Sequence, residues 1–407
     1  MDGREEGYAF MRSRLQRLIM GALTTGAVVL AAAPANAMPA AESTAAGAFR
    51  PAAADGVPDS YVVVLKPETR VDRDTTGRLA SDHRGTVTRD LPLINGFATR
   101  MAPADAALLS ADPAVAYVAQ DLWVRGSVVQ PDPPSWGLDR IDQRALPLDS
   151  SYTYTNTGAG VTAYVVDSGI RVTHQDFGGR AAVGTDLVGD GENGNDCNGH
   201  GSHVAGTVGG TTFGVAKEVR LRAVRVLDCS NVGQWSWVIA GIQWAVDNAV
   251  RPAVINMSIE GGPYEPADAA VAAAVGAGIP VVVAAGNSTS DACQTSPGRA
   301  GTALTVANAG RADERAPSSN FGTCVDLFAP GSDITSAGIA SNTDTDVLTG
   351  TSMAAPHVTG AVAGLLQRSP SATPAQLATT VLNNAVTNRI TDAGAGTPNR
   401  LLFTGGA

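Results

Sequence analysis

From residue 161 onward, short apolar runs alternate with helical patterns. The runs 161–166 (VTAYVV), 220–227 (RLRAVRVL), 253–257 (AVINM) and 279–284 (IPVVVA) have the length and β-branched content of buried strands. Two shorter strands follow at 302–307 and 323–328. Between and after them lie a glycine-led helix start at 199–209, an amphipathic helix over 236–248 with Val238, Ile242, Ala245 and Val246 on one side, an Ala/Val helix over 266–277, and a long Ala-rich helix over 351–366. Strands apolar on both faces, alternating with helices, predict an α/β domain whose mostly parallel sheet is covered on both sides. Such sheets place their chemistry beyond the carboxyl ends of the strands. Asp167, Ser258 and Asn287 each fall at such an end.

A smaller pattern precedes this one. Residues 60–66, 94–101 and 114–119 read as strands and 103–111 as a helix, a small αβ unit that ends where Pro131, Pro133 and Pro134 break the chain. Residues 38–56, mostly Ala with Pro, Ser and Gly, read as a flexible linker. Ahead of them Arg12, Arg14 and Arg17 lead into an apolar run, Leu18 to Ala33, and then Ala35-Asn36-Ala37. That is an export signal over 1–37, with Met11 as the expected start, and it predicts a secreted, extracellular protein. The alternative, a membrane anchor, is disfavoured because no basic stop follows the run. No later stretch reaches about 18 apolar residues, so the exported form is expected to have no membrane span.

Composition narrows the classes. Of 407 residues, 44% are hydrophobic and 16% charged, enough for a core and too little charge for a disordered chain. The 46 glycines follow no collagen period. The net charge is −10, of which −9 belongs to residues 128–407, and the only lysines are Lys66 and Lys217. No basic stripe for nucleic acid exists. The glycine clusters at 199–210 and 261–262 have neither the Walker spacing nor the dinucleotide fingerprint, which argues against a nucleotide site. All four cysteines, Cys197, Cys229, Cys293 and Cys324, lie in the large segment. An even number in an exported chain favours two disulfides, in any of three connectivities, and the absence of a CxxC or Cys/His cluster argues against zinc.

Four residues then carry chemistry: Asp167 after a buried strand, His200 in a Gly-His-Gly turn, Asn287 in Ala-Ala-Gly-Asn, and Ser352 in Gly-Thr-Ser-Met-Ala-Ala-Pro. A hydroxyl needs a base to become a nucleophile; an imidazole is that base near neutral pH, and a carboxylate fixes its tautomer. Ser352 at a helix start presents its own N–H to a developing oxyanion, and Asn287 can add a side-chain N–H. Pro356 fits an early helical turn, where a missing N–H matters less. His203 and His357 also sit near helix starts, and His203, one turn from His200, is an equal candidate for the base on chemistry alone.

The segments Asp167-Ser-Gly-Ile, His200-Gly-Ser-His-Val-Ala-Gly and Gly350-Thr-Ser-Met-Ala-Ala-Pro-His-Val resemble the three signatures of the subtilisin-like serine proteases, and the likeness runs over 128–395. The cysteine spacing and the start at 134–142 (PSWGLDRID) resemble the proteinase K-like, secreted bacterial branch. The resemblance implies a three-layer fold with a mostly parallel central sheet and helices on both faces. It implies a serine endopeptidase, acting through an acyl-enzyme intermediate, with Asp167, His200 and Ser352 as triad and Asn287 and the Ser352 N–H as oxyanion hole. His203 and His357 are then structural. It implies sequential pairing, Cys197 with Cys229 and Cys293 with Cys324. It implies that 57–127 is a small α+β propeptide, inhibitor and folding aid, cut off by the enzyme to leave a monomeric peptidase domain, 128–407.

The resemblance further implies that polypeptide substrates add as a strand between two edges, Asn231, Val232, Gly233 to Trp235 and Ser258, Ile259, Glu260 and Gly261, with Leu227 and Trp235 lining the second and fourth pockets. The chain departs from the family pattern at Glu260, which stands where Ser-Leu-Gly-Gly has its first Gly. Its carboxylate either favours a basic residue in the primary pocket or points to water, leaving a broad preference. No catalytic cofactor is implied, but a structural calcium is, on Asp326 with carbonyls near Gly301 and Ala303. The acidic stretch 186–196 is either a second oxygen-rich loop or an exposed turn. An inactive relative would have lost a triad member, and none is missing; an esterase would use the same chemistry without the peptide-binding edges.

Overall fold

The computed structural model describes residues 48–52, 56–123 and 126–405. The expected export signal, most of the linker and residues 124–125 at the expected maturation junction lie outside the described residues.

The first part is a five-stranded sheet with two helices: β1 (Ala48–Arg50), β2 (Gly56–Leu65), α1 (Arg73–Asp82), β3 (Thr86–Leu91), β4 (Gly96–Arg100), α2 (Pro103–Leu109) and β5 (Val115–Leu122). The strand order is β1-β5-β2-β4-β3. Tyr61, Val63, Leu79, Phe97, Leu109 and Val118 form its own core. Two readings change here. The end of the expected linker is β1, which pairs in parallel with β5. The chain between the first two expected strands holds α1 and β3, both too polar to show periodicity: only Thr76, Leu79 and Ala80 of α1 are buried, and Asp72 caps it by accepting the Thr75 N–H.

The second part opens with β6 (Val128–Pro131), α3 (Trp136–Ile141) and β7 (Ser151–Tyr154). Its parallel strands are β8 (Thr162–Asp167), β9 (Ala181–Asp186), β10 (Arg220–Arg225), β11 (Ala253–Met257), β12 (Val281–Ala284), β13 (Leu304–Ala309) and β14 (Leu327–Pro330). The helices among them are α4 (His200–Gly209), α5 (Trp235–Asp247) and α6 (Glu265–Gly276). The hairpin β15 (Ile334–Ala337) and β16 (Thr345–Leu348), then α7 (Thr351–Arg368), α8 (Pro374–Asn384), β17 (Val386–Thr387) and β18 (Arg400–Leu401) complete it. The sheet runs β17-β18-β14-β13-β12-β11-β8-β10-β9, parallel except at β17.

Side chains of a strand alternate between faces, and β8 shows what that does. Ala163 and Val165 enter the core shared with α3, α4, α7 and α8, while Tyr164 and Val166 enter the core under α5 and α6. The expected mixed α/β fold with helices on both faces is therefore present. The helix α7 is unusual: 13 of its 18 residues are buried, so it has no polar face. Only a chain of small residues can pack on all sides at once, and Gly360 leaves no room for a Cβ against Val215.

The start of this part is tied down by charge. Arg140 on α3 is 1% exposed, and its Nε and Nη2 donate to Asp313 Oδ1 and Oδ2 at 2.6 and 2.9 Å, while Nη1 donates to the Gln143 carbonyl at 2.7 Å. Removing one member of a buried pair strands the other charge. Arg140→Met is expected to cost about 3–5 kcal/mol of stability, read as a lower denaturant midpoint in protein made catalytically inert to prevent self-digestion.

Candidate active site

Asp167 is the last residue of β8 and has no exposed surface. Its Oδ1 accepts the Ser168 N–H at 2.8 Å and the His200 Nδ1–H at 2.7 Å. His200 opens α4 after Gly199, whose φ of 106° demands glycine. Gly201 is needed for a different reason: a Cβ there would collide with the Gly169 carbonyl, so the first turn of α4 could not approach the end of β8. Burial of the imidazole works against its charged form, but the charge and hydrogen bond of Asp167, with Asp196 beyond, outweigh it and hold the His200 pKa above its ordinary value.

Asp196 was not singled out in the sequence, yet it organises this corner. Its Oδ1 accepts from Ser168 Oγ, Asn198 N and Gly199 N at 2.9, 3.0 and 2.8 Å, and its Oδ2 accepts the Ser202 N–H at 2.8 Å. Ser168 Oγ in turn accepts the Gly201 N–H at 2.9 Å. An Asp four residues before a helix start, followed by Asn-Gly, is the available signal for such a cap. Ser202 is buried and its Oγ accepts the Arg171 N–H, so it serves the scaffold.

Ser352 is the second residue of α7. Its Oγ donates to the Ser258 carbonyl at 3.4 Å. Pro356, expected where its lost N–H would not matter, stands instead at the position that would donate to the Ser352 carbonyl. Ser258 Oγ donates to that carbonyl at 2.8 Å and makes good the loss. Behind it the chain continues inward, from Asn256 Nδ2 to Ser258 Oγ at 3.0 Å and from Thr359 Oγ1 to Asn256 Oδ1 at 2.7 Å. Asn287 lies three residues past β12. Its Oδ1 accepts the Thr351 N–H at 2.8 Å and the Thr351 hydroxyl at 3.2 Å. A main-chain N–H can only donate, so this contact assigns the amide: oxygen toward α7, Nδ2 donor at the other end.

His200, Asn287 and Ser352 line one cleft of about 380 Å³, together with Leu227, Asn231, Val232, Gly233, Trp235, Ser258, Ile259, Glu260 and Gly261. Every residue expected from the sequence to bind substrate is thus on this cleft. Two details differ from expectation. Gly261 exchanges both main-chain hydrogen bonds with Ser296 at 2.9 and 3.0 Å, so the edge open to a substrate strand ends at Glu260. Val232 spends its N–H and C=O on Asp228. Asn231 turns the chain at a φ of 62°. Trp235 lies over Gly261 and stacks on Tyr264, a second aromatic the sequence reading missed, with centroids 6.0 Å apart.

Glu260 makes contacts that the sequence reading did not foresee. Its side chain is exposed, yet its Oε2 accepts the Asn287 N–H at 2.8 Å and its Oε1 accepts the Ser288 hydroxyl at 2.9 Å. The acidic stretch 186–196 is also accounted for. Arg225, with no exposed surface, donates from Nη1 to Asp186 Oδ2 at 3.0 Å, from Nη1 and Nη2 to Asp190 at 2.6 and 2.7 Å, and from Nε to the Ser168 carbonyl at 3.1 Å. The hydrogen bond from Arg225 lowers the Asp190 pKa to about 2. These carboxylates neutralise an arginine and do not form an oxygen cage. The disulfides are Cys197–Cys229 and Cys293–Cys324, as the resemblance implied. Glu192 lies near the first, but sulfurs bonded to each other offer no thiolate to a metal.

Asp326 faces Thr305, two residues past Ala303, and its Oδ2 accepts the Thr305 N–H at 2.8 Å. Burial pushes its pKa up, against the pull of that hydrogen bond and of Arg400. A desolvated carboxylate of this kind suits a hard cation with oxygen ligands. His203 and His357 have no exposed surface. His203 Nε2 donates to the Ile334 carbonyl and His357 Nδ1 to the Met353 carbonyl, both at 2.8 Å. Neither lines the cleft, whereas His200 does.

Burial lowers the pKa of each of these two histidines to about 4. In the unfolded chain they take up protons near 6.5. The folded state therefore loses stability as pH falls from about 6.5 toward 4, by roughly 3 kcal/mol per histidine. Urea midpoints of a Ser352→Ala protein are expected to show the fall across that window, and to show less of it when His203 or His357 is replaced by Gln.

The Subtilase family model matches residues 158–405. The extracellular serine proteinase of Thermus sp. (strain Rt41A) is 47% identical over 403 residues, covering 94% of this chain and 98% of that protein. The alkaline serine exoprotease A of Vibrio alginolyticus is 46% identical over 316 residues, covering 76% of this chain and 59% of that protein. The crystal structure of a cold-adapted subtilisin-like serine proteinase superposes with a TM-score of 0.65 at 48% identity, covering 66% of this chain and 97% of that one. An Asp–His pair opening on a cleft that also holds a helix-borne serine, within a chain matched at this level, places the protein in the subtilase family, as a serine endopeptidase.

Proposed function

We propose that the chain is the precursor of a secreted endopeptidase of the proteinase K-like branch, with broad specificity. It is exported by 1–37 and matured by self-cleavage of a propeptide, 57–127, from a monomeric peptidase domain, 128–407. The observation that carries the reading is the Asp167–His200 hydrogen bond beside Ser352 and Asn287 in one cleft. The separate core of the front sheet supports the propeptide reading, as does the likeness to the Thermus extracellular proteinase, which extends over nearly the whole chain.

In this mechanism a peptide lies as a strand along Ser258–Glu260, opposite the edge around Asn231–Gly233, with side chains against Leu227 and Trp235. Asp167 holds the Nδ1 proton of His200, which leaves Nε2 as the base. His200 takes the Ser352 Oγ proton as Oγ attacks the scissile carbonyl. Asn287 Nδ2 and the Ser352 N–H, at the positive end of α7, stabilise the oxyanion. His200 then protonates the departing amine. Water, deprotonated by the same imidazole, releases the acid and restores Ser352. Asp326, with carbonyls near Gly301 and Ala303, would hold a calcium ion, whose part would be structural.

Ser352→Ala is expected to abolish casein hydrolysis and to accumulate unprocessed, which N-terminal sequencing and intact mass of the secreted product would reveal; a variant that still matured would overturn self-cleavage. In the active enzyme the base must be neutral, so kcat/KM should fall as pH drops through the raised His200 pKa, with its acid limb above 6.5. Chelation is expected to shorten the thermal-inactivation half-life at least several-fold, and Asp326→Asn should remove that sensitivity.

A further inference from the structure

Glu260 lies on one border of the cleft and reaches the other. Besides the Asn287 N–H and the Ser288 hydroxyl, its carboxylate accepts from Asn320 Nδ2 at 3.3 Å. Asn320 is fully buried and itself fastened, donating to the Ala285 carbonyl at 2.9 Å and accepting the Ser288 and Ser290 N–H groups at 3.0 and 2.9 Å. Gly286, at a φ of 104°, allows the approach, since a Cβ there would collide with Glu260 Oε1. Asn287 is therefore gripped twice: its main-chain N–H by Glu260 and its side-chain oxygen by Thr351. The segment between is Gly-Asn-Ser, a sequence with little stiffness of its own.

We propose, building on the endopeptidase reading above, that Glu260 is a positioning residue: it braces the oxyanion donor Asn287 from across the cleft. An oxyanion hole works only if its donors are already in place when charge develops, so that no free energy goes into reorganising them. The carboxylate reaches Asn287 through the main chain and leaves Nδ2 to the substrate. Both carboxylate oxygens accept hydrogen bonds from this segment.

The test uses mature, active-site-titrated enzyme and a peptide anilide. Glu260→Ala and Glu260→Gly, the latter restoring the family's residue, are expected to lower kcat by about tenfold, less than the 10²–10³ typical of removing an oxyanion donor outright, with KM within about twofold. Binding of a peptidyl aldehyde, whose adduct places an oxygen in the hole, should weaken by the same factor, while binding of the cleaved product peptide does not change. Glu260→Gln keeps an acceptor for the Asn287 N–H and should recover most of the loss. In an Asn287→Ala background Glu260→Ala should cost nothing further. An unchanged kcat, an equal loss in that background, or a loss confined to KM for Arg-ending anilides would overturn the proposal. The endopeptidase reading fails separately, if Ser352→Ala still hydrolyses the anilide.

Discussion

The seating of α7 is the constraint on which the rest of the site depends. A helix buried on nearly all sides cannot slide or rotate without opening voids or driving atoms together, because interiors are close-packed. Ser352 and the amides of the first turn inherit that rigidity. The bond lost at Pro356 is repaired by Ser258, the residue after β11, which also borders the cleft. Ser352, its helix and the cleft border at Ser258 are thus joined by a single hydroxyl, with Asn256 and Thr359 carrying the connection into the core.

Charge does the corresponding work at the other end of the cleft. Asp167 and Asp196 sit at the carboxyl end of β8 and the start of α4; Asp167 spends Oδ1, and Asp196 both oxygens, on neighbouring N–H and O–H groups. Arg225 lies beneath with no exposed surface; it holds the Ser168 carbonyl and draws Asp186 and Asp190 inward. The first disulfide closes over the same loop, and Arg225 Nη2 lies 3.4 Å from Cys197 Sγ. Much of the acidity of this part of the chain is therefore structural. What emerges toward the cleft is one imidazole with a raised pKa.

Much of this was legible in advance. The strands of the central sheet are buried on both faces, so they read as apolar runs, and the large helices between them were found within a residue or two. Among the elements that escaped detection, α1, the edge strand β9 and β16 bury little of themselves, while α3 is buried throughout but only six residues long and α8 buries only Leu377 and Val381. Local pattern reports burial, and where burial is slight it reports little. Asp167, His200, Asn287 and Ser352 were each found because their chemistry demands those residue types beside turns and helix starts.

The sequence by itself determined the fold class and the order of the main sheet strands and large helices, and it singled out the side chains suited to the chemistry, since these follow from hydrophobic period and from short motifs. Only the tertiary structure decided how those side chains are used. It separated His200 from His203 by burial, paired the cysteines, turned the acidic loop onto Arg225, and set Glu260 against the Asn287 N–H. Each of those outcomes joins residues about 30 or more positions apart, except the first, which rests on which side of one helix turn meets the core. A side chain's acid–base state and its partners depend on what folding brings within hydrogen-bonding distance, and no local pattern in the chain records that.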